Sequence, residues 1–204
     1  MAPNQHPTQL VKIEGLLIDL ENPRYDIFGS QREALLTIAR EQGTKLANLA
    51  EDIATKGLNP SELLVVTETN QAGQYFVLEG NRRIAAIKLS ISRDLPTSLG
   101  LTPALIKRYK TINEKYLVDL PQEVSCVVLD RVEATDWIRL KHTGENQGVG
   151  IVEWDGRAKQ RFLGSSPALQ AIELVEHSPY LTAQERQQIP KIFITNIHYR
   201  TVNG

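Results

Sequence analysis

The stretch from Glu79 to Arg83 has the clearest chemical content of this sequence. A carboxylate, a glycine, an amide and two guanidinium groups follow one another there, as Glu79-Gly80-Asn81-Arg82-Arg83. The apolar run from Tyr75 to Leu78 predicts a strand before it, and the pattern from Arg82 to Leu89 predicts a helix after it. A strand that turns at a glycine directly into a helix leaves the first backbone N–H groups of that helix unpaired. The pattern therefore favours an anion site for phosphate.

Two arginines at a helix N-terminus are unfavourable next to the positive end of the helix dipole. A bound anion would compensate for this placement, so the two arginines strengthen the hypothesis of an anion site. Charge-assisted hydrogen bonds contribute roughly 1.5–3 kcal/mol each, and the dipole adds about 0.3–1 kcal/mol. Together with the backbone amides they approach the roughly 8 kcal/mol of micromolar binding. The alternative is that Arg82 and Arg83 are solvated residues of the first helical turn.

Gly80 to Arg83, followed by Ile84-Ala85-Ala86, resembles the GERR-x-x-A box of ParB N-terminal domains in the ParB/sulfiredoxin superfamily. The other motifs of that family follow in the same order, and the resemblance covers roughly residues 10 to 165. These motifs are Asn22-Pro23-Arg24, then Leu49–Ile53 with Gly57–Pro60 and Leu63–Val66, and finally Glu145-Asn146-Gln147.

The resemblance implies a small mixed sheet with helices and a nucleotide held by the glycine-arginine box. In ParB proteins this nucleotide is CTP with Mg²⁺, and its binding closes two protomers into a DNA clamp. The residues that take the phosphate role by this resemblance are Gly80, Asn81, Arg82 and Arg83, with Arg24 as a second phosphate contact. The identity of the nucleobase is left open, with CTP favoured over ATP.

By the same resemblance, Glu145 and Asn146 are the candidate metal ligands, since Mg²⁺ prefers carboxylate and amide oxygens. Glu79 is the obvious candidate for a catalytic base beside the box. His142 has two interpretations, as a member of a metal or base cluster with the residues that follow it, or as a cation at the end of its helix.

Cys126 is the lone cysteine, which excludes an internal disulfide framework and a CxxC zinc site. It lies in the apolar run from Val124 to Leu129, and we predict a buried, unreactive thiol. Sulfiredoxins carry a catalytic cysteine inside the phosphate box. Because this box has no cysteine, sulfiredoxin activity is not expected.

Local patterns predict the elements that position these residues. Strands are expected at Leu10–Leu20, Leu63–Thr67, Tyr75–Leu78 and Val124–Leu129. Helices are expected from Ser30, after Thr44 up to Gly57, from Arg82, from Pro103 to about Ile112, after Asp130, from Ser166 to Val175 and from Thr182. Trp137 and Trp154 sit on apolar helical faces and are expected to anchor the core.

These elements define an α+β fold, in which a small mixed β-sheet with flanking helices is followed by an all-helical C-terminal part. The predicted organisation is a flexible tail at residues 1–9, a nucleotide-binding domain at 10–150 and a helical extension at 151–204. The 204 residues carry a formal net charge of -1, which gives no general attraction to nucleic acid. No apolar stretch approaches a membrane span, so no membrane association and a cytoplasmic location are expected.

The leading functional hypothesis is a nucleotide-dependent switch that binds a nucleoside triphosphate with Mg²⁺ and changes its self-association as a dimer, with slow hydrolysis possible. One alternative is a ParB-like nuclease or phosphotransferase that uses the same pocket. Another is a non-catalytic DNA-associated module of a phage-defence or mobile-element system. DNA contact is expected non-specifically or through regions beyond this chain.

Overall fold

The computed structural model describes residue 6 and residues 8–164, 170–171, 174–175 and 177–185 of the chain. The chain divides into two compact units, Met1–His142 and Thr143–Gly204. The division falls before the boundary predicted at residue 150, because the helix that ends at His142 belongs to the first unit and contacts its sheet.

The first unit is built on a five-stranded mixed sheet. Its strands are β1 (Thr8–Lys12), β2 (Leu16–Ile18), β3 (Leu64–Glu68), β4 (Tyr75–Glu79) and β5 (Glu123–Val128). They are arranged in the order β1-β5-β3-β4-β2. The pairs β1–β5 and β3–β4 are antiparallel, whereas β5–β3 and β4–β2 are parallel. Two strands that are consecutive in the chain, β1 and β2, therefore form opposite edges of the sheet.

The prediction of one strand from Leu10 to Leu20 is wrong, because a 3-10 turn at Ile13–Gly15 separates β1 from β2. Gly15 packs against the β3–β4 turn so closely that a Cβ atom there would lie 2.3 Å from the Gly73 carbonyl oxygen. The chain bends at this contact and Leu16 pairs with Tyr75 on the far side of the sheet. A continuous apolar run does not distinguish one strand from two.

Six helices accompany the sheet in the first unit, and the described part of the second unit adds α7. They are α1 (Gln31–Gln42), α2 (Thr44–Lys56), α3 (Asn81–Ile91), α4 (Leu95–Ser98), α5 (Pro103–Tyr116), α6 (Arg131–His142) and α7 (Gly156–Phe162). Local sequence patterns predicted the start of several helices correctly. The Ser30 hydroxyl accepts a hydrogen bond from the Glu33 amide at 3.2 Å, and the Asp130 carboxylate accepts one from the Glu133 amide at 2.9 Å.

The core is centred on α3, which contacts α1, α2, α5 and β2. Its residues from Ile84 to Ile87 are fully buried, so the helix is enclosed almost all the way around. Among the largest buried side chains around it are Leu16, Ile18, Leu46 and Leu64. Dense packing on every side fixes α3 relative to the sheet, and with it the position of its N-terminus.

The two tryptophans do not anchor the core, and that prediction is wrong. The exposed fractions are 54% for Trp137 and 55% for Trp154. In α6 the buried side is limited to Ala134, so the apolar face of this helix is too narrow to include Trp137. Trp154 instead makes an edge-to-face contact with Phe162, with ring centroids 5.3 Å apart.

The mixed sheet with flanking helices confirms the predicted fold class. In the second unit, the described residues include α7 and a 3-10 turn at Asn146–Gly148. The predicted capping box is also present, since the Thr182 hydroxyl accepts from the Glu185 amide at 3.3 Å. Most of the helix predicted from Ser166 to Val175 lies outside the described residues. Within the part of the chain that the structure describes, none of the helices has the length and apolarity to cross a bilayer.

Candidate anion-binding site

Gly80 joins β4 to α3 in a conformation that a side chain would not tolerate. Its backbone is left-handed, with φ 104° and ψ 14°. A Cβ atom on Gly80 would lie 2.0 Å from Cδ2 of Leu64. The glycine therefore allows the strand to turn into the helix within one residue, as the sequence predicted.

The first turn of α3 presents backbone donors. The amides of Arg83 and Ile84 both bond to the Gly80 carbonyl, at 2.9 and 3.1 Å. No described side chain caps the helix, and its first turn holds no acidic residue. The amides of Asn81 and Arg82 therefore remain available at the positive end of the helix dipole.

The Asn81 side chain is committed to the protein interior. Its Oδ1 accepts a hydrogen bond from the Asp19 amide at 3.1 Å, and its Nδ2 donates to the Val77 carbonyl at 2.6 Å. Asn81 is 6% exposed and connects the residue after β2 to the middle of the parallel strand β4. Because both ends of the carboxamide are occupied, only the backbone N–H of Asn81 is free for the predicted contact with phosphate.

Arg82 and Arg83 have different surroundings. Arg83 is buried, donates to the Glu62 carbonyl through Nη1, and has carboxylate oxygens of Glu62 and Glu79 at 3.6 Å. Arg82 is half-buried, and its guanidinium forms no hydrogen bond or ion pair with the residues that the structure describes. Its Nε is shielded from solvent and unpaired. Arg82 is the member of the pair that is available to a ligand.

Glu79 lies among the nitrogen atoms of two cations and a histidine. Its carboxylate oxygens are 2.9 Å from Nζ of Lys141, 2.9 Å from Nε2 of His142 and 3.6 Å from Nη2 of Arg83. Burial raises the pKa of Glu79, but hydrogen bonds from His142 and Lys141 outweigh burial, and the net pKa is lowered. A carboxylate held in its ionised form anchors cations well and accepts protons poorly. Its role as a base stays a prediction.

The contact between His142 and Glu79 is one that the sequence did not indicate, because 63 residues separate the partners. His142 lies in the last turn of α6, as predicted, and it contacts Glu79 in addition. Lys141 beside it was also missed. Across the described residues, no three His, Cys, Asp or Glu side chains converge in a way that could hold a metal ion.

A second ion pair missed by sequence reasoning joins β2 to α6. Asp19, 3% exposed, directly follows β2 and forms two hydrogen bonds with Arg131, Nη1 to Oδ2 at 2.9 Å and Nη2 to Oδ1 at 2.7 Å. The hydrogen bonds with Asp19 raise the pKa of Arg131. In the sequence Asp19 is one polar residue at the end of an apolar run, and no local signal indicates its partner.

Arg24 lies in an exposed loop after β2. The Asn22 carboxamide oxygen accepts from the Arg24 amide at 3.0 Å, which forms the turn expected from Asn-Pro. The adjacent Tyr25 hydroxyl is buried without a hydrogen-bond partner. Burial and the charge of Glu41 raise the pKa of Tyr25, and the charges of Arg24 and Arg82 act to lower it. The Arg24 guanidinium lies beside this hydroxyl outside hydrogen-bond geometry, so the fold brings Arg24 and Arg82 to one neighbourhood.

Glu145 and Asn146 belong to the second unit. Asn146 has a left-handed backbone, with φ 46°, and so does Gln147, with φ 56°. The Asn146 Nδ2 donates to Thr143 Oγ1 and to the Gly144 carbonyl, both at 3.0 Å, which leaves its carboxamide oxygen for a cation. Glu145 is exposed. Their metal role stays a prediction.

Taken together, the first unit is a mixed α/β domain with donors gathered where a strand turns into a helix. No family model matches the sequence, and no curated protein sequence matches it. Among solved structures, the chain is similar to the C-terminally truncated chromosome-partitioning protein ParB from Caulobacter crescentus complexed with CTP-γ-S. The match has 16% identity and a TM-score of 0.32, and covers 92% of this chain and 99% of that chain. At this level the likeness assigns no function to this chain.

Proposed function

We propose that the first unit binds a nucleoside triphosphate, with its phosphates at the N-terminus of α3. The observation that carries this proposal is Arg82, a cation without an anionic partner among the described residues, placed at the positive end of a helix dipole. Nε of Arg82 is shielded from solvent, so a phosphate oxygen would accept from the terminal Nη groups and neutralise the charge there.

The charge balance around the site supports an anion. The Glu79 carboxylate, which directly precedes Gly80, is already surrounded by Lys141, His142 and Arg83. Arg82 and Arg24 form no ion pair with the described residues, although the Glu41 carboxylate acts on Tyr25 together with them. Two charge-assisted contacts of roughly 1.5–3 kcal/mol each, with the amides of Asn81 and Arg82, bring the sum towards micromolar affinity.

The proposed nucleotide is CTP, with ATP as the second candidate, because the motifs resemble those of ParB domains in type and order. The candidate Mg²⁺ ligands are the oxygens of Glu145 and Asn146, which belong to the second unit. Any hydrolysis would be slow, since Glu79 is stabilised as a carboxylate by its ion pairs. The arrangement favours binding over base catalysis.

The switch function is proposed from the position of Lys141 and His142. Both pair with Glu79, which directly precedes Gly80, and His142 is the last residue of the first unit. A triphosphate beside Gly80 would compete with Glu79 for the Lys141 ammonium. Nucleotide binding would then alter the end of α6, and we propose that this change favours a dimer.

Calorimetry with CTP, ATP, GTP and UTP, with and without Mg²⁺, tests the proposal. We expect micromolar binding of at least one nucleotide and at least a tenfold loss in Arg82→Ala. Arg93→Ala is the matched control, because Arg93 follows the other end of α3 and forms an exposed ion pair with Glu114 at 3.1 Å. Equal affinity of Arg82→Ala and the wild type, or no binding at millimolar nucleotide, would contradict the proposal.

A further inference from the structure

A cavity lies near the opposite end of α3, roughly 13 Å along the helix axis from Arg82. Its volume is about 560 Å³, within the range of about 300–1,000 Å³ that is typical of small-molecule sites. The walls come from the turn after β1, from α1, from the last turn of α3, from α4 and from the start of β5. None of these residues contributes to the site at Gly80.

The floor of this cavity is apolar. Ile13 and Leu35 are buried, at 5% and 8% exposure, and half-buried Ile91 and Leu95 form the walls beside them. A ligand that covers these side chains gains roughly 25 cal/mol for each Å² of apolar surface removed from water. The floor therefore suits the hydrocarbon body of a small molecule.

Lys88 brings a cation to this apolar surface. It is half-buried, and its ammonium forms no ion pair or hydrogen bond with the residues described. Burial lowers the pKa of Lys88, and the charge of Glu14 only partly opposes this effect. The negative end of the α3 dipole accounts for a lysine in the last turn. It does not account for a half-buried lysine whose ammonium, at the edge of an apolar cavity, has no hydrogen-bond partner among the described residues.

The rim of the cavity limits the charge of the ligand. Glu14 and Glu123 are exposed there, together with Lys12. With Lys88, the four charges of the lining sum to zero. Lys88, the half-buried cation of the lining, balances one negative charge beside the apolar floor, whereas the further charges of a polyphosphate would face Glu14 and Glu123.

We propose that this cavity binds a small monocarboxylate with an apolar body, whose head group pairs with Lys88 and whose body covers Ile13 and Leu35. The site is separate from the proposed nucleotide site and does not depend on it. The affinity for the carboxylate should fall as the pH rises through the Lys88 pKa, because a neutral amine loses the ion pair.

The test compares 4-phenylbutanoate with 4-phenylbutan-1-ol, which has the same body without the charge. Titration of the full chain, followed by NMR of its isoleucine and leucine methyl groups, should shift Ile13, Leu35, Ile91 and Leu95. We expect the acid to bind at least tenfold more tightly than the alcohol. Lys88→Gln should remove this difference, while Lys45→Gln, a change on an exposed face of α2, should preserve it.

Three results would overturn the proposal: no methyl shift at millimolar acid, equal affinity for acid and alcohol in the wild-type chain, or an unchanged preference in Lys88→Gln. The comparison of acid and alcohol needs no variant and decides the matter even where Lys88→Gln does not fold. Arg82→Ala should retain the acid binding. A failure of nucleotide binding would leave this result unaffected.

Discussion

Arg82 and Arg83 are separated by about 100° around α3, since a helix advances by 3.6 residues per turn. That rotation directs Arg83 towards Glu62 and Glu79 and leaves Arg82 near Tyr25. One arginine stabilises the junction between β4 and α3, and the other is available to an anion. Sequence reasoning assigned both to phosphate because their residue types are identical.

Arg83→Ala should destabilise the fold by about 2–3 kcal/mol, because it removes a buried cation from two carboxylates and from the Glu62 carbonyl. Arg82→Ala should leave the free energy of unfolding nearly unchanged. Urea denaturation of both variants measures the difference. Equal stability of the two variants would contradict the assignment of separate roles.

Gly80→Ala should be more destabilising than Gly100→Ala, although both glycines have a positive φ, of 104° and 69°. A side chain in the left-handed region costs about 1–2 kcal/mol at either position. Only at Gly80 does the added Cβ meet Leu64, whereas at Gly100 nothing lies within 4 Å. Overpacking should add about 1–3 kcal/mol to the cost of Gly80→Ala. Thermal unfolding of the two variants checks this order, and a reversed order would disprove the role of Leu64.

The sequence predicted that Gly80 starts the helix but did not predict the role of Asn81. The first depends on local backbone geometry, which a glycine between a strand pattern and a helix pattern reveals. The second depends on the Asp19 amide, 62 residues away in the chain. Contacts of that separation are set by the packed sheet and leave no periodic signal.

At the scale of elements, α6 is held mainly by charge. Arg131 at its start pairs with Asp19 after β2, and Lys141 and His142 at its end pair with Glu79 at the end of β4. Between these ends Ala134 is its one buried residue. The two parallel strands therefore fix both ends of a helix that contributes little to the core.

This arrangement makes the attachment of α6 sensitive to acid. The pKa of Glu79 is lower in the folded chain than its ordinary value of 4.5. Its contribution to stability is complete above the unfolded pKa and is lost as the pH falls through the lowered folded value. Glu79→Gln should therefore be less stable at pH 7 and lose less stability between pH 5 and 3, as measured by urea denaturation.

Asp52→Asn is the matched control, because Asp52 forms an exposed ion pair with Lys56 on α2. It should reproduce the wild-type dependence on pH. A parallel decline of Glu79→Gln and the wild type in acid would contradict the role assigned to Glu79.

At the scale of the whole chain, we predict no recognition of a specific DNA duplex. The net charge is -1, and the helices predicted between Trp154 and Ile189 lack the arginine and amide cluster that reads base edges. Gln184, Arg186, Gln187 and Gln188 come closest, and the last three lie outside the described residues. Selection from random duplexes at roughly physiological salt tests this prediction. Enrichment of one motif at nanomolar protein would disprove it.

The pairing of β1 with β5 has a consequence for the order in which the chain folds. Thr8 lies opposite Val127 and Lys12 opposite Glu123, so the first strand pairs with the last strand of the sheet. Closing so long a loop slows folding, because its entropy must be lost before the contacts form. During synthesis at about 5–20 residues per second, β1 would wait on the order of ten seconds for its partner. Of the five strands, the first to be made can therefore pair only after the last has been made.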